Sequence, residues 1–487
     1  MYSLLLLVAT SAALWAQQSF STFPVTIEKG DYDDREAVFI PNEDKSAGLF
    51  VSDNNTMHFI LLGSDGKPQQ ELKEPMPSNF SGLKRAGVGT LDGEYFCYFL
   101  LNNKKVFVFK ANTTTKKLSY TPFPFNGSSI LFVAAGKGYS YIVTSSENLK
   151  DEFTIYKYTS FTEPKIIKVK TTEIDFYKAF SINSSKAIDQ VAVLPMNSTA
   201  HFDQTHAATK CYHDADQLIL TYDAIDGDTK VLTISDKGEV TQRNIKSTVL
   251  ADKKAIAKSL LFKNVLWQLS IASNQFIING TNLESNTVVY ESQKDDNFDT
   301  DAFLESSYTF RSGYNRERKS NSKTELIKSF QRADLSGIGI VESNTGKLLL
   351  VAGAINKNNL SDPSIENAEA VQTSSVNMVV IMERHYHDLH LPSYSSYQQS
   401  LMSFKKEIWV YNVWSLSPDG SSINKAMPED VPAVEECLDF YFRDPQNNTA
   451  PAVWKQGDAY LFGYYSTKNH SYMLYQMSAK KSDFNKR

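Results

Sequence analysis

Val376-Asn377-Met378-Val379-Val380-Ile381-Met382, then a polar stretch, then Ile408-Trp409-Val410-Tyr411-Asn412-Val413-Trp414 running into the turn Ser417-Pro418-Asp419-Gly420: this part of the chain decides the fold. Both apolar runs are rich in β-branched and aromatic residues, which suit a pleated, half-buried surface. Strand, long loop, strand and Gly-closed turn predict an antiparallel hairpin.

The same plan recurs. It appears at Gly48–Gly66, Glu94–Lys116, Tyr139–Lys165 and Gln217–Glu239, again from Val265 and Leu348, and finally over Tyr460–Met477. In the clearest copy, Leu218-Ile219-Leu220-Thr221-Tyr222 and Val231-Leu232-Thr233-Ile234 flank Asp226-Gly227-Asp228, and Asp236-Lys237-Gly238 closes the unit. Starts at 48, 95, 139 and at 217, 265 are spaced by 44 to 48 residues, the period of propeller blades. A small sheet cannot bury both faces alone, and radial stacking does so while leaving only short edges. The expected fold is therefore all-β, a single β-propeller of about 7–8 blades, one of them concealed near Ala179–Leu194. The alternative is two β-sandwich domains, which share short strands and Gly-containing turns; the near-constant period favours the propeller. Phe20–Ile27 reads as a first strand. One short helix is expected at Lys323–Arg332, where Ser322-Lys323-Thr324-Glu325 has the form of a capping box ahead of Leu326, Ile327 and Phe330.

The expected domain plan is a signal peptide over 1–16, the propeller over 17–478 with an insertion near 286–335, and a polar, basic tail over 479–487. Tyr2–Trp15 is almost wholly apolar with small residues up to Ala16, the length of a signal-peptide core and short for a membrane span. No Lys or Arg precedes it. The expected location is secreted, periplasmic or at the cell surface, with no transmembrane segment in the mature chain. A hydrophobic content of 41% is ample for a packed core. A net charge of -5 over 487 residues lacks the basic footprint of a nucleic-acid binder. Three cysteines, Cys97, Cys211 and Cys437, allow at most one internal bridge, so the core and not a disulfide framework holds the fold. Ten Asn-X-Ser/Thr sequons, Asn279 among them, would be glycan acceptors in a eukaryotic secretory route.

The strand–loop–strand unit with Ile-Trp-Val-Tyr-Asn-Val and Ser-Pro-Asp-Gly, together with the Ala16-Gln17 junction, resembles secreted propeller-type repeat proteins common in Bacteroidetes. The resemblance covers mainly residues 376–478 and implies fold and compartment. It carries over no catalytic residue.

Six of the eight histidines fall in two stretches: His201, His206 and His213 in the first, His385, His387 and His390 in the second. Imidazole and thiolate ligate Zn or Cu, and side chains at i and i+2 of a strand share a face. These six are the candidate metal ligands, although neither spacing is a known zinc signature and a solvated loop tip is the favoured reading. The acidic run Asp295-Asp296-Asn297-Phe298-Asp299-Thr300-Asp301 alternates oxygen donors as a calcium loop does, but Thr300 and Ser306 stand where its Gly and Glu belong. No cofactor is expected; Zn or Ca are what those donors would take. The basic run Arg311–Lys323 with Tyr308, Phe310 and Tyr314 reads as pairing with its acidic neighbour. There is no Gly-X-Ser-X-Gly, His-Glu-X-X-His, Walker or Cys-X-X-Cys motif. The functional expectation is an exported, non-catalytic binding module for a protein or glycan ligand, with no nucleic acid as partner. The alternatives are a carbohydrate-active or metal-assisted exported hydrolase, whose paired carboxylates would leave no local motif, and a surface structural or adhesion component.

Overall fold

The computed structural model describes residues 19–478 apart from 26–35, 54, 77–82, 102–104, 124–128, 146–151, 171–190, 203, 225–226, 247–255, 273–275, 293–307, 313–315, 321–322, 334, 344–345, 357–407, 426–447 and 457–458. Among the described residues the strands form seven sheets, each built around an antiparallel meander. Sheets 1, 2 and 3 span Glu36–Pro75, Leu83–Phe123 and Ser129–Lys170, sheets 4 and 5 Val191–Ile245 and Ile256–Glu291, and sheet 6 Tyr308–Lys425. Sheet 7 joins Asn448–Ser478 to Ser19–Pro24.

The burial of successive strands shows which way each sheet points. In sheet 3, Ser129–Gly136 and Tyr139–Ser145 are buried almost throughout, whereas the fourth strand, Lys165–Lys170, is buried only at Ile167 and Val169. The first strand of the meander is therefore innermost, except in sheet 4, where Val191–Pro195 lies inside it. Contacts between strands Asn448–Gln456, Glu36–Pro41, Leu83–Leu91 and Ser129–Gly136 carry one sheet to the next. The result is a β-propeller, as the period predicts.

The ring is fastened by its first strand. Ser19–Pro24 pairs antiparallel with Ser471–Ser478, Phe23 opposite Tyr472, so the strand expected at Phe20–Ile27 is the outer edge of the last sheet. Phe23 and Tyr472 stack at 5.8 Å, and Phe39 of sheet 1 meets the same Tyr472 ring edge-on at 6.3 Å.

Strand alternation sorts the connections. Within each meander the first-to-second and third-to-fourth turns fall on one end of the ring, here the turn face. The second-to-third connections and the links between sheets fall on the other, the loop face. Turn-face connections are tight. Asp92-Gly93 and Lys263-Asn264 are two-residue turns with positive φ at both positions (52° and 76°, 47° and 61°), the conformation that matches the twist of a hairpin. The turns at Gly63–Lys67, Ser235–Glu239, Ser343–Lys347 and Ser417–Ser422 repeat a second plan. In each, the first N–H donates to the last carbonyl and a Gly N–H donates back to the first carbonyl. In Ser417-Pro418-Asp419-Gly420, donation from the Ser417 and Ser421 hydroxyls holds the Asp419 carboxyl down at about 2. Lys165–Lys170 and Leu348–Asn356 end on the loop face; the spans that follow them, 171–190 and 357–407, lie outside the described residues.

Three expectations need correction. Ile408–Leu416 pairs along one edge with Leu348–Asn356, and its other edge takes Thr309–Ser312 and Ile423–Lys425. Both edges are thus taken by other strands; residues 376–382, the expected partner, lie outside the described residues. Local hairpin signals match any two β-rich runs; partner choice is set by distant register. Second, Val191–Pro195, expected within a concealed blade, joins sheet 4 as a fifth strand, parallel to Thr209–His213. Third, Asn279 is buried mid-strand, closed to a glycan in the folded chain. Cys97 and Cys211 are buried and free, in keeping with a fold held by its core; Cys437 lies outside the described residues.

The stretch 286–335 contributes Thr287–Glu291 to sheet 5 and the pair Tyr308–Ser312 and Arg316–Ser320 to the outer side of sheet 6. The helix stands at Lys323–Arg332 as expected, burying Ile327 and Phe330, the latter edge-on to Phe276 at 6.0 Å. The acidic run 295–301, His385, His387, His390 and the tail 479–487 lie outside the described residues.

Candidate functional site at the loop-face mouth of the channel

The segment between Pro195 and Thr209 leaves sheet 4 and returns to it, and in between it pairs with sheet 6. Met196 N donates to His213 O (2.7 Å), and Lys263 N of sheet 5 donates to Asn197 Oδ1 (3.0 Å). Ala200 and Ile340 then exchange backbone hydrogen bonds of 2.7 and 2.8 Å. Thr205 Oγ1 donates to Ile338 O at 2.6 Å. The segment thus bridges sheet 4 to the inner strand of sheet 6 as a buried plug of the chain's own residues, touching sheet 5 at Lys263. Ala200, Phe202 and Thr205 have no exposed surface.

Glycines on sheet 6 make room for this plug. A Cβ at Gly339 would lie 2.5 Å from Phe202 N and 2.6 Å from Ala200 O, and one at Gly353 would lie 2.3 Å from the Phe202 ring. Both distances are inside van der Waals contact, so only glycine lets the plug seat.

The first histidine stretch is this plug. His201 and His213 are buried and His206 half-buried. The His201 ring packs on Phe202 at 4.3 Å, while His213 Nδ1 meets Tyr139 OH of sheet 3 at 3.0 Å. Burial pushes the His213 imidazole down to about 3, so it is neutral at physiological pH. Among the described residues no three His, Cys, Asp or Glu side chains are grouped to hold a metal ion.

Where the plug re-emerges on the loop face it meets a cluster that sequence reading does not single out. Lys210 Nζ donates to Asp223 Oδ2 at 2.7 Å, with the two side chains 0% and 3% exposed. The remaining capacity of Asp223 is also used: Ser259 N donates to Oδ2 at 3.1 Å, Ser259 Oγ to Oδ1 at 2.5 Å and Thr229 Oγ1 to Oδ1 at 3.3 Å. The Asp223 backbone N–H donates to Ala208 O (2.9 Å) and so ties the plug to the cluster. A buried carboxylate this thoroughly hydrogen-bonded meets the condition under which an interior ion pair is tolerated.

Lys258, next to Ser259 at the loop end of the inner strand of sheet 5, donates to His206 O at 2.6 Å. Its amine is driven down to about 8, first by burial and then by Lys210, with Asp223 acting the other way. Gln268 Nε2 links the cluster to sheet 5 through Thr229 Oγ1 (3.0 Å). The sequence holds a faint trace of all this, since Lys210, Asp223 and Lys258 are single charges set in apolar strands. A charge near a strand end ordinarily reads as solvent-facing.

No family model matches the sequence, and no curated protein matches it. Among solved structures, the chain is similar to the WD40 domain of SCAP from fission yeast, with 10% identity over 89% of this chain and 82% of that one at a TM-score of 0.32. It is also similar to a protein from Lactobacillus plantarum, with 10% identity, coverage of 81% and 85% and a TM-score of 0.35. An uncharacterised protein of Listeria monocytogenes has 8% identity, coverage of 93% and 96% and a TM-score of 0.33. At these scores the likenesses assign no activity.

Proposed function

We propose that the chain is an exported binding module, without catalytic activity, that takes a protein or glycan ligand on its loop face. The observation carrying this reading is the difference between the two ends of the ring. The turn face consists of tight, internally hydrogen-bonded turns, while the loop face carries the long connections and the mouth where Lys258 and the plug surface. Variable connections on a rigid scaffold are where binding surfaces are built. The plug supports the same face, because its buried side chains Ala200, Phe202 and Thr205 lead the chain to that mouth. Export is supported by the apolar run Tyr2–Trp15, as in the secreted Bacteroidetes repeat proteins that the sequence resembles. A cut after Ala16 would spare the strand that begins at Ser19 and closes the ring.

The test has two arms. Expressed in a bacterial host with an envelope, the protein should appear outside the cytoplasm with Gln17 as its first residue; an uncleaved cytoplasmic product refutes export. On a glycan array and a panel of purified envelope fractions, charge reversals at the loop face should remove whatever binding is found. Reversals at turn-face positions such as Asp65, Asp236 and Asp419 should leave it intact. Binding lost only with the turn-face set overturns the assignment of the face.

A further inference from the structure

Among the described residues, the charges at the loop-face mouth do not balance. Two lysines, Lys210 and Lys258, share the cluster with one carboxylate, Asp223, whose oxygens already accept from Lys210, Ser259 and Thr229. Among the described residues, the acceptor of Lys258 Nζ is a backbone carbonyl, that of His206. A carbonyl satisfies one N–H of an ammonium and none of its net charge. Lys258 and His206 are half-buried at the edge of this cluster, and Ala208, two residues on, is exposed. A cation withdrawn from water beside a second cation, with no carboxylate of its own among the described residues, is the arrangement that anion sites employ.

We propose that the mouth of the channel binds the carboxylate or phosphate group of a small ligand, with Lys258 Nζ as its ion-pairing donor and the Lys210–Asp223 pair holding that lysine in place. This deepens the loop-face reading and rests on it for the choice of ligand surface. The anion supplies the charge that Asp223 has already committed elsewhere. Its binding raises the Lys258 amine toward the usual lysine range, so affinity is linked to proton uptake. Among the described residues, the charged and titratable groups around that amine are Lys210, Asp223 and His206.

The experiment uses the full chain and two probes, inorganic phosphate and acetate, each against sodium chloride of equal ionic strength. Acetylation of Lys258 by a limiting amine-reactive ester is followed by mass spectrometry. The expected result is saturable protection of Lys258 by one or both probes and none by chloride, with acetylation of exposed lysines such as Lys67 unchanged. Protection by phosphate alone assigns a phosphate ligand, by acetate alone a carboxylate, and by both a general oxyanion site. Because the free amine loses its proton near 8, the protecting affinity should fall about tenfold between about pH 7 and pH 9. The variant Lys258→Met, which keeps the apolar stem, should lose any phosphate- or acetate-induced rise in melting temperature, and Lys258→Arg should retain it. If neither anion protects Lys258, or if Lys258→Met responds as the parent does, the proposal fails. That failure is separate from the loop-face reading, which stands or falls on the array and its charge reversals.

Discussion

The substitution Asp223→Leu removes the one carboxylate from the cluster and leaves Lys210 buried beside Lys258. Breaking a buried ion pair from one side costs about 3 to 5 kcal/mol, because the surviving charge has neither water nor a partner. Ser259 loses the acceptor for both its N–H and its hydroxyl, which places the expected loss at the upper end of that range. Lys210→Met should cost less, by about 1 to 2 kcal/mol. Asp223 then keeps its three hydrogen bonds from Ser259 and Thr229, and Lys258 is close enough to share the charge. The double variant Lys210→Met, Asp223→Leu should be more stable than the sum of the singles by about 2 kcal/mol or more, since neither charge remains to be stranded. Urea unfolding at neutral pH, followed by tryptophan fluorescence and compared by midpoint and slope, reads all four proteins. If the single losses are equal, additive and below about 1 kcal/mol, the pair behaves as a solvated surface contact. The plug is then not anchored through it.

Three further outcomes follow from the same geometry. His213 is neutral in the fold, held near 3, whereas an unfolded chain protonates its histidines near 6.5. Below about pH 6.5 the unfolded state therefore binds the extra proton, and stability declines as pH falls toward 3. The cost of this one group is about 2.7 kcal/mol at about pH 4.5, and His58, also lowered by burial, adds a loss of the same sign. His213→Gln should flatten part of that slope in melting curves taken between neutral and acid pH; an unchanged slope counts against a buried neutral imidazole. Phe202→Ala should cost about 3 to 5 kcal/mol and open the 196–208 segment to limited proteolysis, and Gly339→Ala should do likewise by displacing Phe202 N; cleavage confined to other loops would refute the plug. A chain beginning after Pro24 should lose hydrogen-exchange protection over Ser471–Ser478, and retained protection there would mean that Ser19–Pro24 does not close the ring.

The repeat was legible because its cause is local. Tyr95–Leu100 and Val106–Phe109 are apolar on both sides because sheets pack on both sides, and Asp92-Gly93 announces its turn through the positive φ that Gly tolerates. The helix at Lys323–Arg332 carries its own apolar spacing and so could be read in place. Three features depended on contacts far along the chain and left no local mark: the pairing of Ser19–Pro24 with Ser471–Ser478, the parallel strand Val191–Pro195, and the partner of Ile408–Leu416. The candidate site was hidden for a related reason. Histidines attract the eye as ligands, yet His213 is a buried hydrogen-bonding partner of Tyr139. The charge imbalance instead involves Lys210, Asp223 and Lys258, from three strands in two sheets, and only the folded register brings them together.

Because Ser19–Pro24 is synthesised long before its partner strand Ser471–Ser478, the two edges wait for one another while all the intervening sheets are made. Until then the last sheet offers an unpaired edge and the opening strand has nowhere to dock. Chains interrupted anywhere before Ser471 would keep that edge open and be natural targets for proteases and chaperones. Completion of the ring thus doubles as a proofreading step, in which only a polypeptide carrying both ends becomes a finished molecule.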